Sequence, residues 1–134
     1  MTQPLAIAVH AGAFERVHYA LVMASAAAAT DRRVTLFFTG GAVRALVGAT
    51  GWHTLDAAPE GAAARDATWR QRGVAGFEEL LSACRDLGVR LIVCEMALRA
   101  AAIAADTLRR DLTLESAGVV TFLNAADGGQ IVFI

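Results

Sequence analysis

Residues 76–96 read GFEELLSACRDLGVRLIVCEM, and this stretch decides the fold. Phe77, Leu80, Leu81, Cys84 and Leu87 recur at helical spacing and put one apolar stripe on a helix. Gly88 stops it, because glycine takes the left-handed conformation that closes a helix. Arg90 to Cys94 (RLIVC) is then an apolar run too short for a helix and rich in β-branched residues, which predicts a strand buried on both faces. From Glu95 to Ile103 the composition is again helical. A helix, a buried strand and a second helix in immediate succession are the grammar of an α/β domain.

The same alternation extends in both directions. Upstream, Leu5 to Val9 (LAIAV) reads as a strand closed by His10-Ala11-Gly12. Phe14, Val17, Leu21, Ala24 and Ala28 mark a helix from about Phe14 to Ala29. Val34 to Phe38 (VTLFF) is a second strand, ending at Thr39-Gly40-Gly41 before a short helix over Ala42 to Leu46. Downstream, Leu112 to Leu114 is expected as a short fourth strand, with Ser116 as the N-cap of a last helix. Val119, Val120, Leu123 and Ala126 would form the apolar face of that helix, and Ile131 to Ile134 a fifth strand. From about Val47 to Ala75 the periodicity is lost. That segment reads as a flap, an oligomer contact or a hidden short helix around Ala62 to Trp69.

The 134 residues hold 56% hydrophobic and 19% charged residues, with 30 Ala, 12 Gly and 2 Pro, so one compact domain over residues 1–134 is expected rather than a disordered chain. Mean hydropathy is +0.48. Even so, Val17 to Thr30 gives only 14 residues free of Asp, Glu and Arg, against the roughly 20 that span a bilayer, so no membrane span is expected. Met1-Thr2-Gln3-Pro4 carries no positive charge before the apolar run, which makes the cytoplasm the expected compartment. All 12 basic residues are Arg and are balanced by 13 acids. The clustered positive charge that nucleic-acid binding needs is missing. A chain this small cannot hide all its apolar residues, and the surplus predicts a homo-oligomer.

Cys94 ends a buried strand where a helix begins. Ligands of open α/β sheets bind at that edge, and unpaired backbone N–H groups there favour a thiolate. Glu95 works against such activation, and the plain alternative is the last small buried residue of the strand. Cys84 sits on the apolar stripe of its helix and reads as a packing residue. The two cysteines differ by about 7 Å in height above the base of the sheet, so no disulfide is expected between them. His10 and His18 are expected near the same edge as Cys94, as proton donors or acceptors, or else simply as a strand cap and a solvated side chain. Thr39-Gly40-Gly41 reads as a tight turn whose backbone could approach an anion; with His10 it makes the candidate ligand-binding group. His53 has no orientable context. No C-x-x-C or H-x-x-x-H spacing supports a metal, and neither G-x-G-x-x-G nor a phosphate-loop Lys is present, so no cofactor is expected.

The run Gly76–Met96 resembles the DsrE/DsrF/DsrH-like sulfur-relay proteins, which include the TusD-type subunits. So do Ala24 to Phe38, with its strand ending Phe-Phe-Thr, and Ser116-Ala117-Gly118-Val119-Val120-Thr121-Phe122-Leu123. The resemblance implies a three-layer α/β/α domain with a five-stranded, mainly parallel sheet, assembled into cytoplasmic oligomers. It also implies a cysteine at the position of Cys94 that accepts sulfane sulfur as a persulfide and passes it to another sulfur-carrier protein. Gly40-Gly41 stands where close relatives have an aromatic pair. A non-catalytic oligomeric binding or assembly module is the competing function. A thiol peroxidase is disfavoured, because no Thr-x-x-Cys precedes Cys94.

Overall fold

The structure is a computed structural model that describes residues 2–134. Its centre is a five-stranded sheet of order β4-β3-β2-β1-β5, from β1 (Leu5–Val9), β2 (Val34–Phe38), β3 (Arg90–Cys94), β4 (Leu114–Ala117) and β5 (Gln130–Phe133). All four pairings are parallel, with Leu5 opposite Val34, Ala6 opposite Ile131, Leu36 opposite Leu91 and Cys94 opposite Ala117. The three inner strands are the unbroken apolar runs, buried at every position except Arg90. The edge strands are half-exposed.

Register and side-chain alternation divide the sheet into two faces. Leu5, Ile7 and Val9 share one face with Leu36 and Phe38. Ala6, Ala8, Phe37, Ile92 and Cys94 share the other. The first face is covered by α1 (Phe14–Ala29) and α3 (Phe77–Asp86), which pack on each other; Ala20, Ala24 and Ala28 leave no bulk between α1 and its neighbours. Thr30 caps α1 and Asp31 leaves it at φ 65°, doing what glycine usually does. The second face is covered by α5 (Val119–Ala125), anchored by Phe122 stacked on Phe37 with centroids 5.1 Å apart. One layer of helices lies on each side, as expected for three-layer α/β/α.

The segment left open by its sequence is folded. Gly51–Thr54 forms a 3-10 turn and α2 (Ala62–Gln71) a full helix. An aromatic cluster holds them: Trp52 stacks on Phe77 at 4.7 Å, and Phe14 meets both Trp52 and Trp69. The hidden-helix reading therefore fits, although α2 buries only Ala62 and Asp66 of its own residues, which is why no stripe showed.

Several boundaries differ from expectation. The segment after β2 is a 3-10 helix over Gly40–Leu46. The helix α4 (Glu95–Ala100) ends short of Ile103, because Ala102 takes φ 55° and Ile103 turns back to donate to the Leu98 carbonyl. The fourth strand is Leu114–Ala117 rather than 112–114, so Ser116 lies within it opposite Val93, and Gly118 is the N-cap of α5. An edge strand needs few apolar residues, and Leu112 is buried as a lead-in rather than as a strand position. Of the face expected for α5, Ala126 is buried as expected, whereas Val119, Val120 and Leu123 are exposed and Phe122 takes their place against the sheet.

Candidate functional site

The carboxyl ends of β1, β2 and β3 finish level. Val9 lies opposite Phe38 and Phe38 opposite Val93, so the next residue of each chain falls in one row: His10, Thr39, Cys94. With strands about 4.8 Å apart, the Cα atoms of His10 and Cys94 are separated by roughly 10 Å, with Thr39 between them. The row extends to Ala117 on β4.

At one end of the row, Cys94 is the N-cap of the six-residue helix α4 (Glu95–Ala100), with extended backbone at φ −70°, ψ 117° and no side-chain capping bond. It is only 4% exposed, whereas Met96 two residues on is 72% exposed. The residue as a whole thus lies buried beneath the exposed first turn of α4, and strand alternation puts its side chain on the α5 face. Glu95 forms an i,i+4 pair with Arg99 at 3.7 Å, which engages its carboxylate along α4.

At the other end, the exposed His10 ring lies against Phe133, centroids 5.6 Å apart, and against Gly40. A Cβ at Gly40 would stand 2.7 Å from both Cδ2 and Nε2 of that ring, and Gly40 has φ +51°. The left-handed backbone favours glycine, and any side chain here would have to displace the ring, so Gly40 is the seat of the imidazole. Gly41 also lies close to Gly12, where a Cβ would be 3.1 Å from the Gly12 Cα. Arg44 reaches over the same turn to donate to the Gly12 carbonyl at 2.9 Å and to Asp56 at 3.3 Å. The crossover from β1 to β2 runs over the α1 face and the crossover from β4 to β5 over the α5 face, so the strand order reverses between β1 and β5, and the carboxyl edge at such a switch point is where α/β sheets hold ligands.

His18 does not join this row. It is buried on the α1 face, opposite to the face of Cys94, with Nε2 2.9 Å from the Ala75 carbonyl oxygen and its ring edge-on to Trp69 at 5.0 Å. Its expected place near Cys94 is therefore corrected: four residues along α1 carry it behind the sheet. His53 is exposed beside Trp52. Among the described residues no three His, Cys, Asp or Glu side chains gather as a metal-ligand group.

Cys84 and Cys94 are both free thiols. Cys84 is packed between α3 and α1, its Sγ 3.8 Å from the Leu21 carbonyl oxygen, and burial pushes its thiol up to about 12. The sheet itself separates it from Cys94, a stronger bar to a bridge than the height difference.

Two polar groups escaped the sequence reading. Asp66 on α2 is buried and caps α3 from outside, accepting from the Phe77 N–H at 2.7 Å and from Arg70 Nε at 3.1 Å. Arg109 is also buried. Its guanidinium donates to both Glu78 oxygens (2.9 and 2.7 Å) and both Asp111 oxygens (2.8 and 2.7 Å), while Glu78 Oε2 accepts from Trp52 Nε1 at 2.8 Å. This network ties the strand-end segments after β2 and β3 together, with Arg109 N–H donating to the Leu46 carbonyl at 2.8 Å. Scattered arginines give no sign of such a role: Asp111 is two residues away, but Glu78, which completes the network, lies 31 residues away.

Residues 5–133 match the model of the DsrE/DsrF-like family. The chain belongs to that family. A solved structure described as a protein of unknown function, MTH1491 from Methanobacterium thermoautotrophicum, is similar in fold, with a TM-score of 0.65 and 15% identity over 98% of this chain and 99% of that one. No curated protein matches the chain. Among the described residues, no helix of this DsrE-like protein is long and apolar enough to cross a membrane.

Proposed function

We propose that this DsrE-like chain is a cytoplasmic sulfur carrier that holds sulfane sulfur as a persulfide on Cys94 and hands it to another carrier protein. The observation that carries the reading is the position of Cys94: the end of an inner parallel strand, level with His10 and Thr39, on a chain of a family associated with sulfur relay. The transfer is a thiol exchange. The Cys94 thiolate attacks the outer sulfur of a donor persulfide R–S–SH, forming Cys94–S–SH and releasing R–S⁻, with no net oxidation. Onward transfer repeats the step with Cys94 as the donor. His10, seated on Gly40 and beside Thr39, would hold the polar end of a donor or acceptor across the row.

The 4% exposure of Cys94 favours a second reading, a non-catalytic oligomeric module whose strand edge holds a small ligand. Incubation with a persulfide donor followed by intact-mass measurement separates the two. The carrier reading expects one added sulfur atom on the wild type and none on Cys94→Ser. No adduct, or one that persists in Cys94→Ser, refutes it.

A further inference from the structure

We infer that the free edge of β5 is a homodimer seam, at which two copies of this chain pair their β5 strands antiparallel about a two-fold axis and continue one sheet through both. The inference is independent of the chemistry at Cys94.

The two edges of the sheet are unlike. On β4, Glu115 is held in a bidentate ion pair by Arg90 (2.9 and 2.7 Å), which places charge on that edge. Residues 130–134 read QIVFI, without a charge, a proline or a glycine. Natural sheets protect free edges with such residues, and an apolar, uncharged edge is a template for another strand. Ile134 and Gln130 direct their backbone groups to β1: Ile134 N–H donates to the Ala8 carbonyl, the Ile134 carbonyl accepts from His10 N–H, and Gln130 N–H donates to the Pro4 carbonyl. By alternation, the N–H and C=O of Ile131 and Phe133 point away from the sheet.

That arrangement selects the partner and the register. Antiparallel pairing centred on Val132 sets Ile131 opposite Phe133 of the second copy and satisfies all four outward groups twice over, as two hydrogen-bonded pairs. An isologous contact of this kind needs no second surface. Both faces of the seam present apolar side chains. On the α5 side, Ile131 and Phe133 are 53% and 71% exposed. On the α1 side, Val132 and Ile134 line a groove of about 1000 Å³ that Tyr19, Val22 and Met23 of α1 also line, together with the charged Glu15, Arg16 and Arg72. A second copy brings its own α1 to that groove. The apolar side chains along β5 and this flank of α1 expose on the order of 500 Å², most of the roughly 800 Å² that each partner gives to a standard interface. A net charge of −1 offers little self-repulsion.

Sedimentation equilibrium on the full chain is expected to give twice the 14.0 kDa chain mass, or a larger even assembly, and Ile131→Lys/Phe133→Lys to halve it with unchanged far-UV circular dichroism. Cross-linking tests the register without relying on that variant. In a Cys94→Ser background, Val132→Cys places two thiols on the axis with Cα atoms about 4.5 Å apart, so mild oxidation gives a covalent dimer. Gln130→Cys, about 13 Å from its own copy, does not cross-link. A monomer at every concentration, a trimer, a mass untouched by the lysine pair with no Val132→Cys cross-link, or cross-linking through Gln130→Cys instead overturns the seam.

Discussion

Replacing Arg109 by Leu removes one side chain and disconnects three segments. In the wild type its guanidinium, 5% exposed, makes four charge-assisted hydrogen bonds to Glu78 and Asp111, whose side chains are about half exposed. Deleting one partner of a fully buried pair costs about 3–5 kcal/mol. Here water reaches both carboxylates, which lowers the expected loss to about 2 kcal/mol, or a fall of about 7 °C in Tm for a chain of this length. The remaining carboxylates then face each other without a cation between them. The pH dependence follows from Asp111, which the Arg109 hydrogen bonds hold below the usual carboxylate range. A carboxyl with a lowered folded pKa contributes stability that is complete above its unfolded value near 4 and is lost as pH falls through the folded value. Arg109 stays charged throughout. Urea unfolding of wild type and Arg109→Leu should therefore show the full difference at pH 7 and a narrowing one as pH drops below about 4. A loss under about 0.5 kcal/mol at pH 7, or a difference unchanged down to pH 3, would refute the account of this network.

Gly40→Ala forces an alanine to φ +51° and pushes a methyl group into the His10 ring, so stability should fall by about 1–2 kcal/mol and the His10 ring resonances should move in NMR spectra; an unchanged Tm and unmoved resonances would count against the seat described for His10. Burial keeps the Cys84 thiol protonated, up to about 12, so at pH 8 an aromatic disulfide reagent should leave Cys84 unmodified in the folded protein and label it only in denaturant. Labelling of Cys84 at the rate of a free thiol under native conditions would contradict its packing role.

The inner architecture could be read because it obeys one rule per segment. LAIAV, VTLFF and RLIVC are apolar at nearly every position, which only a strand covered on both faces requires, and Gly88 at φ +79° marks the end of α3 where it stands. The periphery was less legible. Leu114–Ala117 is an edge strand with two exposed positions, so nothing in Leu-Glu-Ser-Ala distinguishes it from a loop. The stripe Val119, Val120, Leu123 was a true periodicity assigned to the wrong side: apolar residues surround α5, and sequence spacing cannot say which of two stripes meets the sheet. In the candidate site, Cys94, His10, Thr39 and Gly40 stand on one edge, because strand ends are legible and parallel strands in register bring their ends together. His18 does not, because its helix begins at that edge and then passes behind the sheet. Arg109, Glu78 and Trp52 come from three segments and meet only in the folded chain.

The leap of the chain from β4 across the sheet to β5 also fixes an order of assembly. β1 is the first strand and β5 the last, yet they are neighbours, so the Ala6–Ile131 pairing closes a loop of nearly the whole sequence while the β1–β2 and β2–β3 pairings close shorter ones. Loop closure slows with sequence separation. Until β5 docks, β1 presents the flat row Leu-Ala-Ile-Ala-Val as an unpaired border, an uncharged surface of the kind that recruits strands from other chains. During synthesis that border is bare from the time β1 pairs with β2 until the last strand is made, and in that interval the protein is most exposed to misassociation.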